Sequence, residues 1–178
     1  MSEITLYIAA SLDGYVAEKD GSIAWLENIP NPDKNDYGYN AFINGIDTVV
    51  MGRHTYEIVT GFDMDWPYGQ QHTVVVSSDR EFPIKTPNTT ILSTLNRSAI
   101  EKLRAQSQSG IWLVGGGQLL TSFLKLDAVD RIILFIMPVI LGTGIRLFPR
   151  KVPFRSFHLE SSEPYASGVV QMTYIKAT

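Results

Sequence analysis

Apolar runs of strand length alternate with amphipathic stretches through the first two thirds of the chain, and strands then follow one another without helices. Ile4 to Ala10 (ITLYIAA), Asp47 to Met51, His72 to Val76, Thr89 to Leu92 and Ile111 to Val114 read as strands. Several are apolar at nearly every position, as strands covered on both faces of a parallel sheet are. Helices are predicted between them, over about Asp36 to Asn44, from the Gly52 turn through Val59, over about Ser98 to Gln108, and from Gly116 to Lys125. In the first of these, Tyr39, Phe42, Ile43 and Ile46 share one face, with Asp33 or Asn35 as a cap; in the third, Ser98 and Glu101 have the capping-box spacing. Asp130 to Pro138 (DRIILFIMP) is a nearly uninterrupted apolar strand, and Phe154 to Glu160 and Val169 to Ile175 alternate around Pro164 and Gly168. The pattern predicts an α/β three-layer sandwich, a mostly parallel central sheet with antiparallel C-terminal strands, in one domain over residues 1–178. An apolar sheet edge needs cover. The cover is either the chain's own helices or a second copy of the chain, and a homodimer is the expectation.

Three strand ends in this pattern carry chemistry suited to anions. Ile111 to Leu120 (IWLVGGGQLL) breaks from strand into three glycines and resumes as a helix, a joint that is either a tight turn or a phosphate site at a helix start. Asp47 to Met51 runs into Gly52, Arg53, His54 and Thr55, which add a guanidinium and a hydroxyl. His72 to Val76 ends in Ser77, Ser78, Asp79 and Arg80, an ordinary turn or a third anion-binding edge. In a parallel α/β sheet all three lie at the strands' carboxyl ends, where ligands bind. Residues 11–35 and 60–71, rich in Gly, Pro and aromatics, are long enough to be binding loops. Asp36 falls one turn before Tyr39, at the inward edge of the apolar stripe. It is either an acid answering the helix dipole or a carboxylate placed in a pocket.

Composition narrows the classes. Fifteen Lys and Arg against eighteen Asp and Glu give a net charge of -3, which leaves no basic field for nucleic acid or anionic lipid. Without cysteine there is no disulfide, thiol nucleophile or thiolate metal site, and the three histidines do not stand at helical ligand spacing. The start lacks a basic n-region and no apolar run is long enough to span a bilayer as a helix, so a soluble cytoplasmic protein is expected.

Three groups of residues together resemble the dihydrofolate reductase-like superfamily, and more closely its branch containing the reductase domain of riboflavin biosynthesis. TVVMGRHTYE at 48–57 resembles the segment that binds cofactor phosphates in dihydrofolate reductases. LVGGGQLLTSFL at 113–124 resembles that family's Gly-Gly turn, whose cis peptide would here be Gly115-Gly116. SLDGYVAEKDGSIAW at 11–25 and VDRIILFIMPVILGTG at 129–144 resemble the riboflavin reductase branch. The resemblance implies NADPH, with NADH not excluded, along the sheet edge. Gly52, Arg53, His54 and Thr55 would hold phosphates, Ser77 and Ser78 would lie near the adenosine, and Val114, Gly115, Gly116, Gly117, Gln118 and Leu119 would line the pyrophosphate and nicotinamide, with Ala10 and Val16 against the ring. It further implies Asp36 as the catalytic carboxylate and Trp25, Tyr15 and Tyr39 as substrate contacts. Hydride transfer to a C=N or C=O carbon needs a proton on the heteroatom, which such a carboxyl can assist.

The implied activity is the reduction of a pyrimidine- or pterin-like compound, resembling that of 5-amino-6-(5-phosphoribosylamino)uracil reductase. True dihydrofolate reduction, or a dimeric nucleotide- or pterin-binding protein without turnover, are the other readings. Two departures stand out: Gln118 replaces the Arg that many dihydrofolate reductases direct at the 2′-phosphate, and no Arg or Lys lies between Asp36 and Ile46 to hold a ribose phosphate.

Overall fold

Strands β1 (Glu3–Ser11), β2 (Tyr15–Ala17), β3 (Thr48–Gly52), β4 (His72–Val76), β5 (Thr89–Leu92), β6 (Gly110–Gly115), β7 (Arg131–Met137), β8 (Ile145–Arg146), β9 (Phe157–Pro164) and β10 (Val170–Lys176) alternate with helices α1 (Tyr39–Asn44), α2 (Arg53–Thr60), α3 (Arg97–Gln106) and α4 (Gly117–Lys125). The computed structural model describes residues 1–149 and 151–177. Eight strands form one sheet in the order β5-β4-β3-β6-β1-β7-β10-β9, parallel from β5 to β7 and antiparallel through β10 and β9. This is the three-layer, dihydrofolate reductase-like architecture that the strand pattern and the resemblance implied.

The period-2 alternation of the central strands sorts their side chains into two cores. Ile4, Leu6, Ala10, Val50, Ile111 and Leu113 meet Ile100 and Leu103 of α3 and Leu120, Phe123 and Leu124 of α4 on one face. Val49, Met51, Val75 and Trp112 meet Tyr56 of α2 and the flank of α1 on the other.

Several local expectations are corrected. The apolar strand β7 lies inside the sheet, between β1 and β10. The true edge is β9, mostly exposed and carrying Glu160, Glu163 and Pro164, which discourage further pairing, so the apolar edge that suggested a dimer is absent. Helix α3 is capped by Asn96, whose side chain accepts from the Ala99 amide at 2.9 Å, rather than by Ser98. No cis peptide occurs among the described residues: Gly115 and Gly116 are joined by a trans bond and instead turn through φ of 134° and 90°.

Two features were too short for periodicity to reveal. Ala24–Asn28 forms a 3-10 turn, and β2 pairs with β8 in a two-stranded sheet of its own. The Asp13 carboxylate ties these segments together, accepting from the Ser11 hydroxyl at 2.6 Å and from the Leu141 and Gly142 amides at 3.1 and 2.7 Å. The Ser11 hydroxyl, followed by those amides, holds Asp13 below the usual carboxylate range. The clamp fixes β2 and β8 beside the carboxyl edge of the sheet.

Candidate active site

A cleft of about 1340 Å³ opens at that edge, more than a single small ligand needs. Its floor is the end of β1 (Tyr7, Ile8, Ala9), Gly52 of β3, Val76 and Ser77 at the end of β4, and Trp112 and Val114 of β6. Arg53, His54 and Thr55 open α2 along one side, and Gly116 to Leu119 open α4 along another. All three anion-suited turns predicted from sequence therefore face one space.

The geometry where α2 and α4 meet is specific. Neither helix has a side-chain cap, so the amides of both first turns are unspent. A Cβ on Gly116 would stand 3.3 Å from the Thr55 hydroxyl oxygen, and one on Gly117 would stand 3.0 Å from the Arg146 carbonyl oxygen. Two uncapped helix starts thus converge across Gly116, where a Cβ would crowd Thr55, and they form a donor set that fits a pyrophosphate. Arg53 is the cation beside it, already engaged: Nε lies 3.0 Å from Glu57, one terminal nitrogen 3.6 Å from Asp79, and the guanidinium stacks over Phe82. Two carboxylates discount its charge for a 2′-phosphate. Arg53→Ala should therefore weaken NADPH about tenfold more than NADH, and Glu57→Gln should shift the preference the opposite way, both read by titration of the two dinucleotides. Equal losses for both would remove Arg53 from the 2′-phosphate.

The other end of the cleft is aromatic. Tyr7 stacks on Phe42 at 4.3 Å, and Trp112 is ringed edge-on by Tyr68, Phe42, Tyr7 and Tyr39 at 5.4 to 6.0 Å. Ile23 and Leu26 descend from the first long loop, and Phe62, Met64, Pro67 and Tyr68 from the second. Gly21 lets the first loop press on α2, since a Cβ there would lie 2.5 Å from Ile58 Cδ1.

Not every expected residue reaches this cleft. Val16, Gly52 to Thr55, Ser77, Ser78, Val114 and Gly116 to Leu119 line it, with Gly115 at the turn between Val114 and Gly116. Ala10 does not: it is buried in the α3/α4 core, and Ala9 and Ile8 form the wall instead. Trp25 is buried against Phe135, Met137 and Val169, and Tyr15 carries Arg146 stacked on its ring at 4.8 Å; both anchor loops rather than face the cleft. Tyr39 supports Trp112 from α1 without lining the cleft.

Asp36 also differs from its expectation of pointing inward within a helix. The helix begins only at Tyr39, and Asp36 is exposed before it, accepting from the Gly38 and Asn40 amides at 2.9 and 3.1 Å. The Asn40 amide, then that of Gly38, holds its carboxyl below the usual range. An exposed, amide-bound carboxylate is ionised at neutral pH and is a poor store for a proton. Tyr7, Tyr68, Trp112, Phe62 and Met64 were not singled out from sequence, since strand aromatics read as core and a Gly/Pro-rich loop gives no periodicity. Among the described residues no cluster of His, Cys, Asp or Glu could hold a metal ion.

The profile of the RibD C-terminal domain matches residues 2–171. The chain belongs to this family. It is 36% identical over 172 residues to the uncharacterized protein YwjB of Bacillus subtilis (strain 168), covering 97% of each, and 30% identical to YyaP of the same organism, covering 96% of this chain and 93% of that one. Among solved structures, one assigned to riboflavin biosynthesis from Shewanella sp. PV-4 superposes with a TM-score of 0.87 at 31% identity over 99% of both chains. Dihydrofolate reductase from Enterococcus faecalis, complexed with NADP(H), superposes at 0.69 with 14% identity over 99% of this chain and 97% of that one, a likeness of fold. Membership of the RibD C-terminal domain family makes this a reductase-type domain, and no helix among the described residues is long and apolar enough to cross a membrane.

Proposed function

We propose that this chain is an NADPH-dependent reductase that delivers a hydride to a pyrimidine- or pterin-like ring, in the manner of the uracil reductase of riboflavin biosynthesis. The observation that carries the reading is the meeting of two uncapped helix starts across Thr55 and Gly116, inside a cleft whose other end is aromatic. Gly52 to Thr55 and Gly116 to Gln118 would hold the pyrophosphate, Arg53 and Ser77-Ser78 the adenosine end, and Val16, Ile8 and Ala9 the nicotinamide. When bound, the dinucleotide supplies a hydride. The chain's own side chains exclude water from the aromatic end and orient the ring that accepts it.

Asp36 does not line the cleft and fits this reading as an ionised positioning group that acts through Tyr7, which does. Its charge reaches Tyr7, whose hydroxyl is pushed well above its ordinary pKa by burial first, then by Tyr165 and Asp36. Asp36→Asn is expected to lower kcat/KM about tenfold while leaving NADPH affinity unchanged. Because the folded carboxyl titrates below its ordinary value, activity lost through its protonation should appear only below the usual carboxylate range; an unchanged kcat/KM would leave Asp36 as a helix-start acid alone. A cytoplasmic setting and a dimer complete the proposal, the latter supported by exposed Leu12 and Ile140, which the Leu12 amide bond to the Val139 carbonyl brings side by side.

The test is NADPH consumption with pyrimidine, lumazine and pterin substrates at saturating dinucleotide. Oxidation dependent on one of these rings supports the reductase. Tight NADPH binding with no ring-dependent oxidation across the panel would favour a binding protein instead.

A further inference from the structure

The aromatic end of the cleft differs from its phosphate end in charge as well as in shape, and this bears on the substrate. The basic side chains that line the cleft, Arg53, His54 and Arg146, all belong to the α2 start or to β8 beside the α4 start. The residues by which the two long loops line the cleft carry no guanidinium or ammonium. The two loops that wall the chamber carry exposed Glu18, Asp20, Glu27, Asp33, Asp63 and Asp65 against exposed Lys19 and Lys34, with exposed Asp36 directly after the first. A phosphorylated substrate entering past these loops meets an excess of like charge and finds no charged partner on the loop residues that line the cleft, which opposes binding.

Inside, three large apolar side chains remain solvent-exposed on the lining: Ile23, Phe62 and Met64, the last 62% exposed. Exposed apolar groups in a cleft are suited to an apolar or planar guest. One polar group stands among them. Tyr68 lines the cleft with its ring held edge-on by Trp66 and Trp112, and its hydroxyl makes no hydrogen bond to any described residue. Burial, then the neighbouring Tyr39, pushes the Tyr68 hydroxyl well above its ordinary pKa, so it keeps its proton and remains a donor. The hydroxyl is not among the sealed-off polar atoms of the fold, so water reaches it, and a ring acceptor entering the cleft takes the place of that water.

Resting on the reductase reading above, we propose that the aromatic chamber takes an uncharged planar heterocycle lacking a phosphate, with a ring carbonyl or imine accepting a hydrogen bond from the Tyr68 hydroxyl. That bond polarises the acceptor beside the carbon to be reduced. The chamber thereby separates the two ligands by charge: phosphates at the helix starts, a neutral ring at the aromatic end.

Matched probes test this on the full chain saturated with NADP+. Uridine and its 5′-monophosphate, and riboflavin and its 5′-phosphate, are titrated calorimetrically. The neutral member of at least one pair should bind at least tenfold tighter than its phosphate. Comparable or tighter binding of the phosphate, or no binding of any probe at about 1 mM, overturns the proposal. Tyr68→Phe should weaken the neutral probe about tenfold with melting temperature and NADP+ affinity unchanged, and equal affinity overturns the donor role. Asp63→Asn with Asp65→Asn, both at exposed positions, should narrow the gap between phosphate and neutral probe; an unaltered gap overturns the electrostatic part. NADP+ saturation is measured first, so failure of the dinucleotide reading registers separately from failure of the substrate class.

Discussion

Gly116→Val is expected to lower NADPH affinity at least about a hundredfold, to the edge of detection. Gly116 holds φ of 90° and ψ of 117°, a conformation that side chains rarely adopt, and its Cβ would lie 3.3 Å from the Thr55 hydroxyl oxygen. Valine would therefore both strain the turn and fill the space where the first turns of α2 and α4 converge. A matched control separates these effects. Gly168, in the turn between β9 and β10 away from the cleft, has φ of 82° and the same 3.3 Å approach, there to Pro138. Gly168→Val should lower the melting temperature by a similar amount and leave NADPH affinity intact. If both variants lose affinity equally, the loss is one of folding and Gly116 has no special place in the cradle.

The largest expected effect on stability lies elsewhere, at Arg104. Its guanidinium grips Asp130 with both terminal nitrogens at 2.6 and 3.0 Å and also donates to the Ser2 and Ala128 carbonyls. Asp130 in turn accepts from the Ile4 amide at 2.8 Å, so one ion pair joins α3 to the starts of β1 and β7. The two side chains are 14% and 28% exposed, too sheltered for water to replace a lost partner fully. Arg104→Ala leaves a sheltered carboxylate and two carbonyls without their donor, and should cost about 3 kcal/mol. For a chain of this length that lowers the melting temperature by roughly 10 °C. Arg104→Lys should recover only part of it, because one ammonium cannot reproduce the fork. A fall of under about 1 kcal/mol for Arg104→Ala would put the pair in the class of surface ion pairs.

The mostly parallel sheet with antiparallel C-terminal strands could be anticipated because the sheet's interior strands are apolar on both faces, and such runs are hard to mistake. That the three turns share one cleft was legible for a related reason: parallel strands end at the same edge of the sheet, so the turns that follow them lie side by side. Loop-borne residues were not legible. Asp36 faces out because Gly38, at φ of 76°, delays the helix to Tyr39, a backbone event that the apolar stripe does not encode. Trp25 and Tyr15 went to loop anchoring because Phe135 and Met137 of β7 and Arg146 of β8, distant in sequence, lie beside them in the fold. Tyr68 escaped notice since its significance rests on a missing hydrogen bond, which only coordinates reveal.

The central claim is that the cleft binds a phosphorylated nicotinamide dinucleotide across the α2 and α4 starts. Calorimetric titration of NADPH into the wild-type chain and the Gly116→Val variant tests it most directly. Saturable binding at one site per chain, with Kd of roughly micromolar order and lost in the variant, is the result expected. Absence of saturable binding by the wild-type chain for both NADPH and NADH up to about 1 mM would contradict it.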